Sequence, residues 1–242
     1  MTTIGNNLQQ VRARIDAACA QAGRGAGEVS LLAVSKTFGP EAVRDAALAG
    51  QLAFGENYVQ EAVEKIALVG AMELPQRLQW HCIGPLQSNK TRLVAAHFDW
   101  VHTVDRLKIA ERLSEQRPDD RAPLQVCIQV NIDGGATKSG VAPDEALALA
   151  RAIAVLPRLE LRGLMTIPDP GAAADALGAA HAEARALFEA VRAELEPAWR
   201  ARFDTLSMGM SADLEAAVLC GSTLVRVGSA IFGGRARPAA GA

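Results

Sequence analysis

The stretch VSLLAVSKTFGPEAVRDAALAGQLAFGEN, Val29–Asn57, decides the fold. Its first seven residues, Val29–Ser35, form a β-rich apolar run. Pro40 then sits early in an Ala-rich helical pattern that stops at Gly50. Leu52–Phe54 reads as a second strand and ends in GEN. Strand, helix and strand in that order make a parallel βαβ unit.

The same alternation continues outward. After a helix over Tyr58–Val69 come the strand LQWHCIG, Leu78–Gly84, and a helix over Ser88–Ala95. DWVHTVD, Asp99–Asp105, is the fourth strand, with a helix to Gln116. LQVCIQVN, Leu124–Asn131, is the fifth, followed by the loop IDGGATKSG and a helix over Pro143–Leu156. LELRGLM, Leu159–Met165, precedes a long helix, Ala172–Leu195. DTLSMGM, Asp204–Met210, a short helix over Ser211–Cys220 and TLVRVG, Thr223–Gly228, complete the series. Upstream, Leu8, Val11, Ile15 and Cys19 share one face of an extra helix over Asn6–Ala22.

Eight near-continuous apolar strands, each separated from the next by a helix, predict an α/β chain folded as a single (β/α)8 TIM barrel with an extra N-terminal helix. A doubly wound open sheet is the runner-up, because pattern alone does not establish closure. Residues 1–234 are expected to form one domain and 235–242 a flexible tail, within the low-complexity end GGRARPAAGA.

The 242 residues are half apolar and carry a formal charge of −2. No basic surplus points to nucleic acid or an anionic membrane. The polar start MTTIGNNLQQ lacks a signal region, and no apolar run reaches the ~18 residues of a spanning helix. Cys19, Cys82, Cys127 and Cys220 show no metal-binding spacing and read as buried, reduced thiols. Together these features predict a soluble cytoplasmic protein without a metal site.

In such barrels the working groups stand at the C-terminal ends of strands. Leu32, Val34 and Lys36 fall on one face by the two-residue period, so an inward Val34 places Lys36 at the inner rim. Desolvation favours the neutral amine of a lysine, the form that attacks a carbonyl. A lysine snorkelling at a strand end is the plainer reading. The last two strands finish in SMGMS and VRVGS, where Ser207, Ser211, Gly228 and Ser229 offer hydroxyls and backbone at a place where this fold often holds phosphate. Arg226 shares the face of Gly228 and needs an acceptor, either a core carboxylate or a ring nitrogen of a ligand. An aldehyde for Lys36, a phosphate for Gly228–Ser229 and an aromatic nitrogen for Arg226 together describe pyridoxal 5′-phosphate. Asn57 and His81, at the ends of strands two and three, are pocket candidates, and Met165 is expected to pack under the cofactor ring. Asp133, Thr137 and Lys138 read as a solvated loop.

The chain resembles the pyridoxal phosphate homeostasis proteins. The matching segments are AVSKT (Ala33–Thr37), FGENYVQE (Phe54–Glu61), HCIGPLQSNK (His81–Lys90), QVN with the later KSG (Gln129–Gly140), GLMTIP (Gly163–Pro168), SMGMSADLEAA (Ser207–Ala217) and GSTLVRVGSAIFG (Gly221–Gly233). The resemblance implies a barrel like the N-terminal domain of alanine racemase. It implies an internal aldimine on Lys36, phosphate held by Ser207, Ser211, Gly228 and Ser229, Arg226 facing the pyridine nitrogen, and Asn57 and His81 lining the pocket. Cys82 stands where many members carry Phe, which implies a packing change only.

Two readings of that pocket follow, carrier or enzyme. Arg226 cannot give the pyridine nitrogen a proton, which leaves the ring a weak electron sink. A racemase of the related type is a two-domain dimer with a tyrosine acid/base. This chain has one tyrosine, Tyr58, in the strand-two loop, and ends just after strand eight. A monomeric carrier or regulator that exchanges cofactor with client apoenzymes is therefore expected. A weak amino-acid racemase is the alternative, and a Schiff-base aldolase without the cofactor the third reading.

Overall fold

A computed structural model describes residues 2–135, 138–169 and 171–234. The elements run α1 (Thr3–Gln21), β1 (Ser30–Val34), α2 (Pro40–Leu48), β2 (Ala53–Glu56), α3 (Val59–Gly70), β3 (Gln79–Cys82), α4 (Thr91–His97) and β4 (Trp100–Val104). They continue α5 (Leu107–Gln116), β5 (Leu124–Val130), α6 (Ala146–Ala154), β6 (Leu159–Thr166), α7 (Ala174–Glu194), α8 (Pro197–Arg200), β7 (Thr205–Ser207), α9 (Leu214–Leu219), β8 (Leu224–Val227) and α10 (Ser229–Phe232). The strands follow chain order around a closed barrel. Closure comes from β1 pairing with β8, Leu31 opposite Val225 and Ala33 opposite Val227. This decides for the barrel over the open sheet.

α1 starts because the Thr2 hydroxyl accepts the Gly5 N–H at 3.1 Å, capping the first turn. Its stripe of Leu8, Val11, Ile15 and Cys19 is buried, and the helix packs on α9, α10 and α2. It thus lies outside the seam where β8 meets β1. The four cysteines are free, three of them buried, and burial pushes the Cys82 and Cys127 thiols up to about 12. Cys82 packs in the outer layer, facing away from His81.

Two short helices, α8 and α10, were not expected, and β7 is three residues long where seven were predicted. β7 stops early because Gly209 turns the chain with φ +93°, so Met208–Met210 leave the ladder. The tail 235–242 lies outside the described residues. Among the described residues no helix is long and apolar enough to cross a membrane, and no cluster of His, Cys, Asp or Glu could hold a metal ion.

Candidate functional site

Strand alternation builds the site. Leu32 and Val34 of β1 point into the barrel, where they meet Ile83 and Leu224, while Ala33 between them joins the outer layer. Lys36 continues the inward face and lines a cavity of about 370 Å³ at the C-terminal mouth of the barrel. Asn57, Ser211, Arg226, Gly228 and Ser229 line the same cavity, with Val34, Ile83 and Ile167 as apolar walls. Phe38 stacks on Phe232, ring centroids 5.1 Å apart, so the β1 loop is tied to α10 beside the cavity. Gly84 allows the β3 loop to pass over Asn57: a Cβ there would lie 2.2 Å from the Asn57 carbonyl oxygen.

The cavity has distinct chemical ends. The Ser211 and Ser229 hydroxyls stand 3.5 Å apart. The Ser211 loop is anchored from behind, where Asp213 accepts the Met210 N–H at 2.7 Å and pairs with the buried His181 at 3.0 Å. Arg226, fully inside the barrel, donates to the Ser207 carbonyl and hydroxyl, both at 2.8 Å, and to the Thr166 carbonyl at 2.9 Å. Burial pulls it down to about 10, which leaves it charged at neutral pH. Asn57 Oδ1 is buried without a hydrogen-bond partner, an acceptor available to a ligand.

Three expected pocket residues sit below the cavity instead. Ser207 is fully buried, and its hydroxyl is engaged by Arg226 and, at 2.9 Å, by His102 Nδ1. It therefore belongs to the floor supporting Arg226, apart from the Ser211–Ser229 pair. His81 is buried on β3, its Nδ1 2.9 Å from His102 Nε2 and its ring stacked on Trp100. Met165 is fully buried and does not line the cavity. Desolvation lowers His81 to about 3 and His102 well below its ordinary value, so both imidazoles stay neutral.

His102, which joins these groups, was not singled out by the sequence. Its signal was its place on the Trp100–His102 face, since β3 and β4 pair His81 with Trp100. In the β5 loop, Lys138 bonds Asp133, which also accepts the Asp169 N–H at 2.8 Å. These contacts tie the described ends of the loop together; Thr137 lies outside the described residues. Lys138 lines a second cavity of about 230 Å³ that shares Asn57, Ile83 and Ile167 with the first.

Behind the cavity wall lies a buried ion pair. Lys65 Nζ of α3 donates to Glu56 Oε1 at 2.8 Å and to the Ser35 carbonyl at 2.9 Å, and the Ser35 hydroxyl donates to the same carboxylate at 2.6 Å. Burial raises the Glu56 carboxyl above its ordinary value, against the pull of Lys65.

Comparison with known proteins agrees with this fold. The family described as alanine racemase, N-terminal domain, matches residues 6–236. A pyridoxal phosphate homeostasis protein from Pseudomonas aeruginosa is 55% identical over 235 residues, which cover 97% of each chain. Solved structures of PipY from Synechococcus elongatus superpose without PLP at 37% identity and TM-score 0.83, and with PLP bound at 35% and 0.81. Each covers 95% of this chain and 100% of PipY. The chain belongs to the pyridoxal phosphate homeostasis protein family, on the barrel of the alanine racemase N-terminal domain.

Proposed function

We propose that this protein binds pyridoxal 5′-phosphate on Lys36 and serves cofactor and amino-acid homeostasis without catalytic turnover. One observation carries the reading: Lys36, Arg226 and the Ser211–Ser229 hydroxyl pair line a single cavity. These residues fit the cofactor's three handles. Held there, the cofactor would supply an aldehyde within the cavity that the Lys36 amine lines. The two hydroxyls would donate to phosphate oxygens, and Asn57 Oδ1 gives the cavity an unused acceptor. Arg226 keeps its proton, so it holds a ring nitrogen without making the ring a strong electron sink.

Two features favour a carrier over a racemase. Tyr58, the one tyrosine, is 55% exposed and does not line the cavity. The floor histidines are neutral, buried and bonded to each other, so neither is poised to exchange protons with a bound amino acid. The protein is read as a cytoplasmic monomer that passes cofactor to client apoenzymes. In keeping with a monomer, large exposed apolar side chains such as Leu48, Leu68 and Leu107 sit on separate helices.

The test is a visible spectrum of wild type and Lys36→Ala after loading with pyridoxal phosphate. Wild type develops a band that borohydride bleaches, with label fixed at Lys36, and Lys36→Ala does not. A wild type that takes up no cofactor would refute the reading. Chiral analysis after incubation with L-alanine tests the absence of turnover, and substantial D-isomer overturns it. Gel filtration tests the monomer. Transfer to a client apoenzyme no faster than spontaneous release argues against directed delivery.

A further inference from the structure

Ser35–Lys36–Thr37–Phe38 form a tight turn, closed by the Phe38 N–H donating to the Ser35 carbonyl at 3.1 Å. Thr37 occupies its third position with φ +67°. That position normally takes Gly or Asn, and a β-branched residue there is strained. Strain of this kind persists only where the surroundings hold it in place.

The surroundings are three charged residues on β2 and α3. Lys65 bonds the Ser35 carbonyl, the residue before Lys36, at 2.9 Å. Glu61 accepts the Thr37 N–H, the residue after Lys36, at 3.2 Å, and lies 3.7 Å from Lys65. Glu56 ties Lys65 to the Ser35 hydroxyl. Lys65 and Glu56 are almost completely buried, 4% and 1% exposed. Removing two charges from water is costly, and a plain helix–strand contact needs only apolar side chains. Here the charges converge on the two peptide units that flank one lysine.

We propose that Lys65, with Glu56 and Glu61, is the positioning device that aims Lys36 at the cofactor's aldehyde, so that it governs the covalent bond and leaves ring and phosphate contacts unchanged. The proposal rests on the cofactor reading given above. None of the three residues lines the cavity.

The experiment compares two probes on each variant: pyridoxal 5′-phosphate, and pyridoxine 5′-phosphate, which keeps ring and phosphate and has an alcohol in place of the aldehyde. For Lys65→Met the dissociation constant for pyridoxal phosphate rises about tenfold, as expected when a reacting group is misaimed, while that for pyridoxine phosphate stays within about twofold. Glu61→Ala, a change at a half-exposed carboxylate, gives about a threefold rise with the same selectivity. It carries the test alone if Lys65→Met does not fold. Equal weakening of both probes in a folded variant would mean a general support role and overturn the proposal. No change for either probe would do the same. A wild type without a visible band defeats the cofactor reading itself, and this inference with it. A normal wild-type band with unselective variants defeats the inference alone.

Discussion

The two faces of the same eight strands carry different chemistry. Outward, Ala33, Phe54, Val101, Val126, Ile128, Leu206, Val225 and Val227 join the helices in one large apolar layer. Inward, the apolar cluster is four residues, Leu32, Val34, Ile83 and Leu224. His81, His102, Ser207 and Arg226 form a bonded chain in the same interior. Barrels of this kind are usually filled by branched apolar side chains. The contrast assigns cohesion to the strand–helix layer and ligand support to the interior. A buried polar chain stabilises little on net and costs heavily if one member loses its partner, so it serves geometry more than stability.

The strongest way to break this contrast is a deletion in the outer layer. Phe188 of α7 is 2% exposed and stacks on Phe203 with centroids 5.0 Å apart. Phe188→Ala is expected to lose about 3–5 kcal/mol in urea unfolding, with cofactor bound per folded molecule unchanged. A loss below about 1 kcal/mol would show that the layer does not carry the stability assigned to it.

The interior counterpart is Arg226→Met. It removes a charged donor from the cavity floor while keeping much of the volume. Pyridoxal phosphate affinity should fall by about 1.5–3 kcal/mol, the worth of a hydrogen bond to a charged group, and stability should fall as well, because the Ser207 and Thr166 carbonyls lose their buried donor. Isothermal titration and urea melts on the same preparation separate the two. Unfolding as severe as that of Phe188→Ala would place cohesion inside the barrel after all.

The same contrast explains what was legible in the sequence. The outer layer announces itself locally: apolar runs for strands, stripes such as Leu8, Val11 and Ile15 for helices. Lys36, Arg226, Gly228 and Ser229 stand out in the sequence because strand ends are special positions in an alternating chain, and the structure gathers them on one cavity. The interior network does not, because His81, His102, Ser207 and Arg226 come from four strands and meet only on closure. Ser207 and His81 stand out as strand-end residues, but sequence gives the face of a strand residue and not its depth, and both lie buried in the floor. Lys65 reads as an ordinary surface lysine on a helix. Its only local signal is that it falls in the buried stripe of Val59, Ala62 and Val69.

The histidine pair sharpens the comparison through pH. His81 is held near 3 in the fold by desolvation and titrates near 6.5 when unfolded. Between those values the unfolded chain binds the extra proton, so stability falls as pH drops below about 6.5, at up to ~1.4 kcal/mol per pH unit for each such histidine. His81→Gln removes one of these groups and should flatten the curve of unfolding free energy between pH 6 and 4.5 by about that slope. A slope equal to wild type would mean that His81 is charged in the folded barrel, which its complete burial opposes.

The smallest effect is expected where the interior is most nearly apolar. Gly55 of β2 faces inward, and a Cβ added there would lie 3.0 Å from Ile83 Cδ1 and 3.2 Å from Leu32 Cδ2. Both neighbours are ends of flexible side chains, and the cavity gives Ile83 room to move. The crowding costs about 1 kcal/mol, and replacing glycine inside a strand returns roughly 0.5–1 kcal/mol. Gly55→Ala should therefore leave urea stability within about 0.5 kcal/mol of wild type. Ile83 displaced toward the cavity narrows it, so cofactor affinity should fall about threefold while stability holds, a cost well under 1 kcal/mol. The opposite pattern, stability lost and affinity kept, would mean that Ile83 and Leu32 are fixed in place, and that the inner four-residue cluster is as rigid as the outer layer.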